Sequence, residues 1–192
     1  MAFADYIDLR TAVIEQSGRP EIADVFDRLT KLAEARFNRE LRTQFQITEY
    51  TVTISNGTAY LPTDIAEVIG VYLENGYELT GQTLQMERGQ LSRQFYSLAA
   101  PFLNGQDGQI VVQYYAKLDT LTQSLTTSNW LLEEYPDAYL YGVGVEAAKY
   151  LKDAEGLMAL EQMRAQVVNE IRADDERRRY ARARVRVKGP TP

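Results

Sequence analysis

The chain has 192 residues with a formal net charge of −6, 45% hydrophobic and 25% charged residues, and neither cysteine nor histidine. Those absences exclude a disulfide framework, a thiolate zinc site, a thiol nucleophile and an imidazole base or ligand. Any catalysis would rest on carboxylates, lysine or tyrosine, and the length suits one domain or a core with a small inserted lobe.

The charge is uneven. Arg177, Arg178, Arg179, Arg182, Arg184, Arg186 and Lys188 are seven cations with no acid between them, and setting them aside takes the remainder from −6 to −13. An acidic body with a basic tail implies different partners for each. The N-terminal MAFADYIDLR has early acids and no apolar run, unlike a signal peptide. No stretch approaches the roughly 20 apolar residues that span a bilayer. A soluble protein made in the cytoplasm, with no membrane partner, is expected.

Residues 3–16 carry Phe3, Tyr6, Ile7, Val13 and Ile14 near helical spacing, and Ser17-Gly18 supplies a stop. Pro20 opens a second, amphipathic helix with Ile22, Val25, Phe26, Leu29, Leu32, Ala33 and Phe37 as its stripe, and Glu34 mostly off it. After Leu41 the pattern becomes β. Tyr50, Val52 and Ile54 lead to Asn56-Gly57, and Val68–Glu74 leads to Asn75-Gly76, two hairpin signals whose turns need positive φ. Between them Leu61–Ile65 reads as a break with one helical turn. Residues 87–98 read as a short helix from Leu91, Phe95 and Leu98. Residues 101–103 and 109–116 read as a third strand pair, with Ile110-Val111-Val112 covered on both faces. Residues 118–128 are a connector.

The stretch from Thr127 to Asp153 holds the only tryptophan, Trp130, and a proline-marked helix start at Tyr135-Pro136-Asp137. From Leu140 to Leu151 the helix is apolar nearly all round, which marks it as central in a domain or shared with a neighbour. Gly142, Gly144, Ala147 and Ala148 lack bulk, so another backbone can approach. Trp130, Tyr139, Tyr141, Gly142, Gly144 and Ala148 are therefore the candidate packing or subunit-interface residues. A break at 153–156 precedes a last helix with Leu157, Leu160, Met163, Val167 and Ile171 on one stripe.

The expected fold class is α+β. Two N-terminal and two C-terminal long helices form a helical bundle (1–42 and 128–176), with a β-rich inserted lobe (43–127) and an extended basic C-terminal arm (177–192). Glu133-Glu134 and Asp174-Asp175-Glu176 read as solvated surface, since adjacent helical residues do not converge. No phosphate loop, dinucleotide fingerprint or Gly-x-Ser-x-Gly elbow occurs. No catalytic, cofactor-binding or metal-ligating residue is assigned. Most of the thirteen tyrosines read as packing residues. The tail has three readings: a solvated terminus, a nucleic-acid arm, or an arm docking on an acidic protein surface. Its alternation from Ala181 to Val187 favours the last, as an added strand.

Several segments in order resemble the phage head–tail adaptor family: Leu32-Ala33-Glu34-Ala35-Arg36-Phe37-Asn38-Arg39 with Leu41-Arg42, then Leu61-Pro62-Thr63-Asp64-Ile65. Ser128-Asn129-Trp130-Leu131-Leu132 follows, then Tyr135-Pro136-Asp137, Tyr139-Leu140-Tyr141, Glu146-Ala147-Ala148 and Tyr150-Leu151. The matches span about Leu29 to Leu151. The resemblance implies a virion neck protein without enzymatic activity or cofactor, assembled as a ring, commonly of twelve copies, beneath the portal. Its implied partners are the portal protein, a tail or nozzle protein, further copies of itself, and double-stranded DNA passing through the lumen without specific binding. It also implies that the C-terminal segment, here Arg177–Lys188, docks on the portal. The alternative is a small nucleic-acid-binding or packaging-accessory protein acting through the arginines.

Overall fold

A computed structural model describes residues 3, 5–82, 94–124 and 126–180. The fold is α+β, and the chain divides into two compact units, Met1–Gln44 with Asp119–Pro192, and Phe45–Leu118.

The first unit carries the helices. In α1 (Tyr6–Ser17) the Asp5 carboxylate accepts the Ile7 and Asp8 amides at 2.8 and 3.0 Å, and Gly18 at φ 63° ends the helix. Its buried residues are Tyr6, Leu9 and Val13; Ile7 is exposed. The helix expected from Pro20 is split. A 3-10 turn, Pro20–Asp24, precedes α2 (Phe26–Glu40), because the non-helical Val25 lets Ile22 and Phe26 both reach the core. Leu32, assigned to the stripe by spacing, is 50% exposed; Thr30 and Glu34 join the buried face instead.

Asn129 caps α3 (Trp130–Glu134), and Pro136 opens α4 (Pro136–Leu151). This helix packs against α1, α2, α3 and α5 (Ala154–Tyr180). A Cβ on Gly142 would lie 2.5 Å from Phe37 Cζ, and the same ring packs edge-on against Tyr139 at 5.8 Å. The close approach at this glycine is made by an aromatic ring, not by a backbone. Lys152, at φ 58°, ends α4, and α5 begins at Ala154. The break expected near 153–156 is present but shorter, at Lys152 and Asp153, and Gly156 lies inside α5.

The second unit contains β1 (Ile47–Ile54), β2 (Thr58–Tyr60), β3 (Ile65–Leu73), β4 (Thr80–Gln82), β5 (Phe95–Ala99), β6 (Phe102–Asn104) and β7 (Gly108–Ala116). Among the described residues they form two sheets, ordered β1-β7-β3 and β2-β6-β5-β4, antiparallel except for β4 with β5. Both Asn-Gly turns form, with positive φ at Asn56, Gly57 and Gly76. Beyond each turn, however, the strands share single bridges, Ser55–Thr58 and Tyr72–Glu78, before separating into different sheets. The expected third pair also fails: β6 and β7 lie in different sheets. Crossing between sheets lets Ile54, Ala59, Val71, Leu79, Leu103, Ile110 and Val112 share one core, which extended hairpins would not achieve. Val111 is only half-buried, so the run at 110–112 is not covered equally on both faces. Residues Phe95 to Leu98 are strand rather than helix; 83–93 lie outside the described residues. Leu61–Ile65 contains a turn but no helical turn.

Gly142→Ala tests the central contact. Helix propensity favours alanine by about 1 kcal/mol, but Phe37 is fully buried and its ring has little room to yield. A net loss of about 1–3 kcal/mol in urea denaturation is expected, partly recovered by adding Phe37→Leu. Gly144→Ala, whose Cβ would meet Leu160 at 3.4 Å, should be neutral or stabilising.

Candidate interaction surface

The arginines expected to begin an extended arm are helical. Arg177, Arg178 and Arg179 lie in the last turn of α5, while Arg182, Arg184, Arg186 and Lys188 lie outside the described residues. Arg177 is exposed, with Asp174 Oδ1 at 3.5 Å. Arg178 donates to Asp174 Oδ2 at 2.7 Å and to Glu134 on α3 at 3.3 Å. Arg179 donates to Asp175 Oδ2 at 2.6 Å and to the Arg42 carbonyl at 3.2 Å. Asp175 is only 6% exposed, and its Oδ1 accepts the Gln44 amide at 2.7 Å. Arg172 donates to the Glu40 carbonyl at 2.9 Å. Spaced by three and four residues, Arg172, Asp175 and Arg179 share one helix face and hold the chain as it leaves the first unit.

Asp174-Asp175-Glu176 is therefore not simply solvated surface. The buried stripe of α5 does not stop at Ile171 but continues in polar form through Asp175. Asp174 in turn accepts the Tyr135 hydroxyl at 2.6 Å; burial, and then this carboxylate, push the phenol up to about 12.

On α4, Tyr139, Gly142, Gly144 and Ala148 are buried, and Tyr141 and, on α3, Trp130 are half-buried. Tyr139 belongs to a polar hub. Its hydroxyl accepts from Asn129 Nδ2 at 2.8 Å and donates to Glu34 Oε1 at 3.1 Å. Glu34 Oε1 also accepts the Leu121 amide at 2.8 Å, and Asn129 Nδ2 reaches the Asp119 carbonyl at 2.8 Å. Glu34 is 2% exposed, and its Oε2 is buried with no hydrogen-bond partner. Burial outweighs the Leu121, Tyr139 and Thr120 hydrogen bonds and pushes the carboxyl up to about 7. Relative to an exposed glutamate, the ionised form is disfavoured by on the order of 3 kcal/mol. Glu34 lies four residues after Thr30 and three before Phe37, so its place on the buried face is readable in the spacing once an acid is admitted to the stripe.

A second polar cluster joins α2 to α5. Buried Arg164 meets Glu40 Oε2 at 2.7 Å and Glu161 Oε1 at 3.1 Å, and Arg36 bonds both Glu161 and Glu40. Burial alone would raise Glu40 and Glu161, but the two guanidiniums prevail and hold both below the usual carboxylate range. Beside it a cleft of about 370 Å³ opens between α1, α4 and α5, lined among others by Val13, Gly144, Ala147, Ala148, Leu160 and Met163. Met163, expected on the core stripe, is 46% exposed.

Among the described residues, no group of three or more acids, histidines or cysteines is placed to hold a metal ion. Nor is any helix among them long and apolar enough to cross a membrane.

Asp175→Ala leaves the Gln44 amide and the Arg179 guanidinium without their buried acceptor. A loss of about 1–3 kcal/mol is expected, with new proteolytic cleavage near residues 42–46. Arg177→Ala should stay within about 0.5 kcal/mol of the parent. Urea denaturation and limited proteolysis of both variants check this.

The sequence profile of a family described as SU10 adaptor protein matches residues 4–187. No curated protein gives a match. The profile covers both compact units and the segments that carry the resemblance to head–tail adaptors. The chain belongs to the SU10 adaptor protein family and is a phage adaptor protein.

Proposed function

We propose that the chain is a structural head-to-tail adaptor of the virion: it forms a ring beneath the portal, twelve-membered on the family pattern, extends the DNA channel and offers the surface to which the tail attaches. The observation that carries this reading is the family match across both units. Portal protein, a tail or nozzle protein and further copies of the chain are the partners, and the role is non-enzymatic.

A ring needs one patch to meet a different patch on the next copy. The cleft beside α4 supplies a concave apolar patch, and it brings Gly144 and Ala148 of the candidate interface residues together. Tyr139 and Gly142 are occupied by Glu34, Asn129 and Phe37 of the same chain, so their part is to shape α4 rather than to touch a neighbour. Carboxylates of the acidic body facing the lumen would repel DNA and leave it free to pass. The portal-docking segment begins after Tyr180, because Arg178 and Arg179 already serve the chain's own fold.

Light scattering of the chain with its portal tests this, using the parent, a truncation after Tyr180 and Met163→Glu. The truncation spares the Arg178 and Arg179 contacts, and Met163 is exposed, so both variants should keep the parent's stability. The parent should give a portal-plus-ring mass, the truncation should lose portal binding, and Met163→Glu should lose ring closure. An unchanged mass in all mixtures rejects the adaptor reading. Salt-sensitive DNA binding that vanishes on truncation would move the tail to nucleic acid.

A further inference from the structure

The chain leaves the first unit at Gln44 and returns to it at Asp119. Each crossing is fastened by a buried carboxylate of that unit. Asp175 Oδ1 holds the Gln44 amide at 2.7 Å, and Glu34 Oε1 holds the Leu121 amide at 2.8 Å. The two carboxylates differ in their surroundings. Asp175 carries its own counter-cation, Arg179, on the second oxygen. The second oxygen of Glu34 is buried and unpartnered.

We propose that Glu34 is a proton-gated fastener: the returning linker, residues 119–121, is sealed onto the first unit while Glu34 is protonated and loosens when it ionises, whereas the outgoing linker at Gln44 stays fixed. An ionised Glu34 is favoured mainly by neutral donors, the Leu121 amide and the Tyr139 and Thr120 hydroxyls, which burial outweighs; its second oxygen is buried and bare, so water must enter to solvate the anion. The charged and titratable groups facing it do not rescue the anion. Lys31, one turn back on α2, favours it weakly; Tyr139 on α4 and Tyr6 on α1 are neutral phenols, and Asp119 in the linker helps to hold the Tyr139 phenol neutral. The carboxyl's midpoint, raised to about 7, places the transition near neutrality. Because the folded chain holds this proton more tightly than the unfolded chain, the stabilisation is present below pH about 4.5 and falls away as pH rises through about 7. Glu34 is thus a positioning residue for the linker.

Amide hydrogen exchange on the full chain, read as protection factors between pH 6 and pH 8, tests the gate. Leu121 should lose protection by about tenfold as pH rises, the loss levelling off above about pH 7, while Gln44 stays flat. Glu34→Gln is a neutral isostere that keeps an acceptor for the Leu121 amide, and it should abolish the pH dependence while retaining the fold. Leu121 protection that is pH-independent in the parent overturns the proposal. So does a parallel loss at Gln44, or the same loss in Glu34→Gln. The parent comparison of Leu121 with Gln44 decides the matter even if the variant does not fold.

Discussion

The packing of Phe37 against α4 is the contact on which the helical unit depends. Gly142 provides the space for the ring, and Tyr139, one turn earlier on the same helix, meets it edge-on at 5.8 Å. Because Phe37 closes on α4 from α2, Glu34 of the same face is carried inward with it and must find its hydrogen bonds inside. It finds them at Tyr139 and Leu121. One steric fit therefore places both the apolar core and its most costly polar group.

Charge is used differently in two clusters that share α2. Where Arg36, Glu40, Glu161 and Arg164 meet, opposite charges are matched and the carboxyls are held low. At the hub around Glu34 no such match exists, and the carboxyl is held high. These clusters act on stability in opposite directions with pH. The first contributes above the ordinary carboxylate range and weakens in acid; the second weakens as pH rises toward and past neutrality.

The end of α5 changes the meaning of the basic tail. Asp174, Asp175, Arg178 and Arg179 form ion pairs one turn apart, and Arg179 also fastens the Arg42 carbonyl. These arginines complete the fold before any partner arrives. For the proposed adaptor, this separates a fixed helical end from the residues beyond Tyr180 that remain for docking.

The sequence by itself determined the element types over most of the chain: helical periodicity at both ends, alternation and Asn-Gly turns between them, the start at Pro136, and the ordered segments that carry the adaptor resemblance. Each of these is a local signal, set by side-chain period or by φ preference. What only the tertiary structure decided was non-local. The same Asn-Gly turns admit either long hairpins or strands that part, and burial of a shared core between two sheets selects the second. Spacing alone put Leu32 inside and Glu34 outside, because a hydrophobic pattern scores residue type and cannot see that Tyr139 and the Leu121 amide await a carboxylate. Likewise the stripe of α5 ends at Ile171 in apolar terms and continues through Asp175 and Arg179 in three dimensions. A charged side chain is drawn inward only where distant segments of the chain supply its partners.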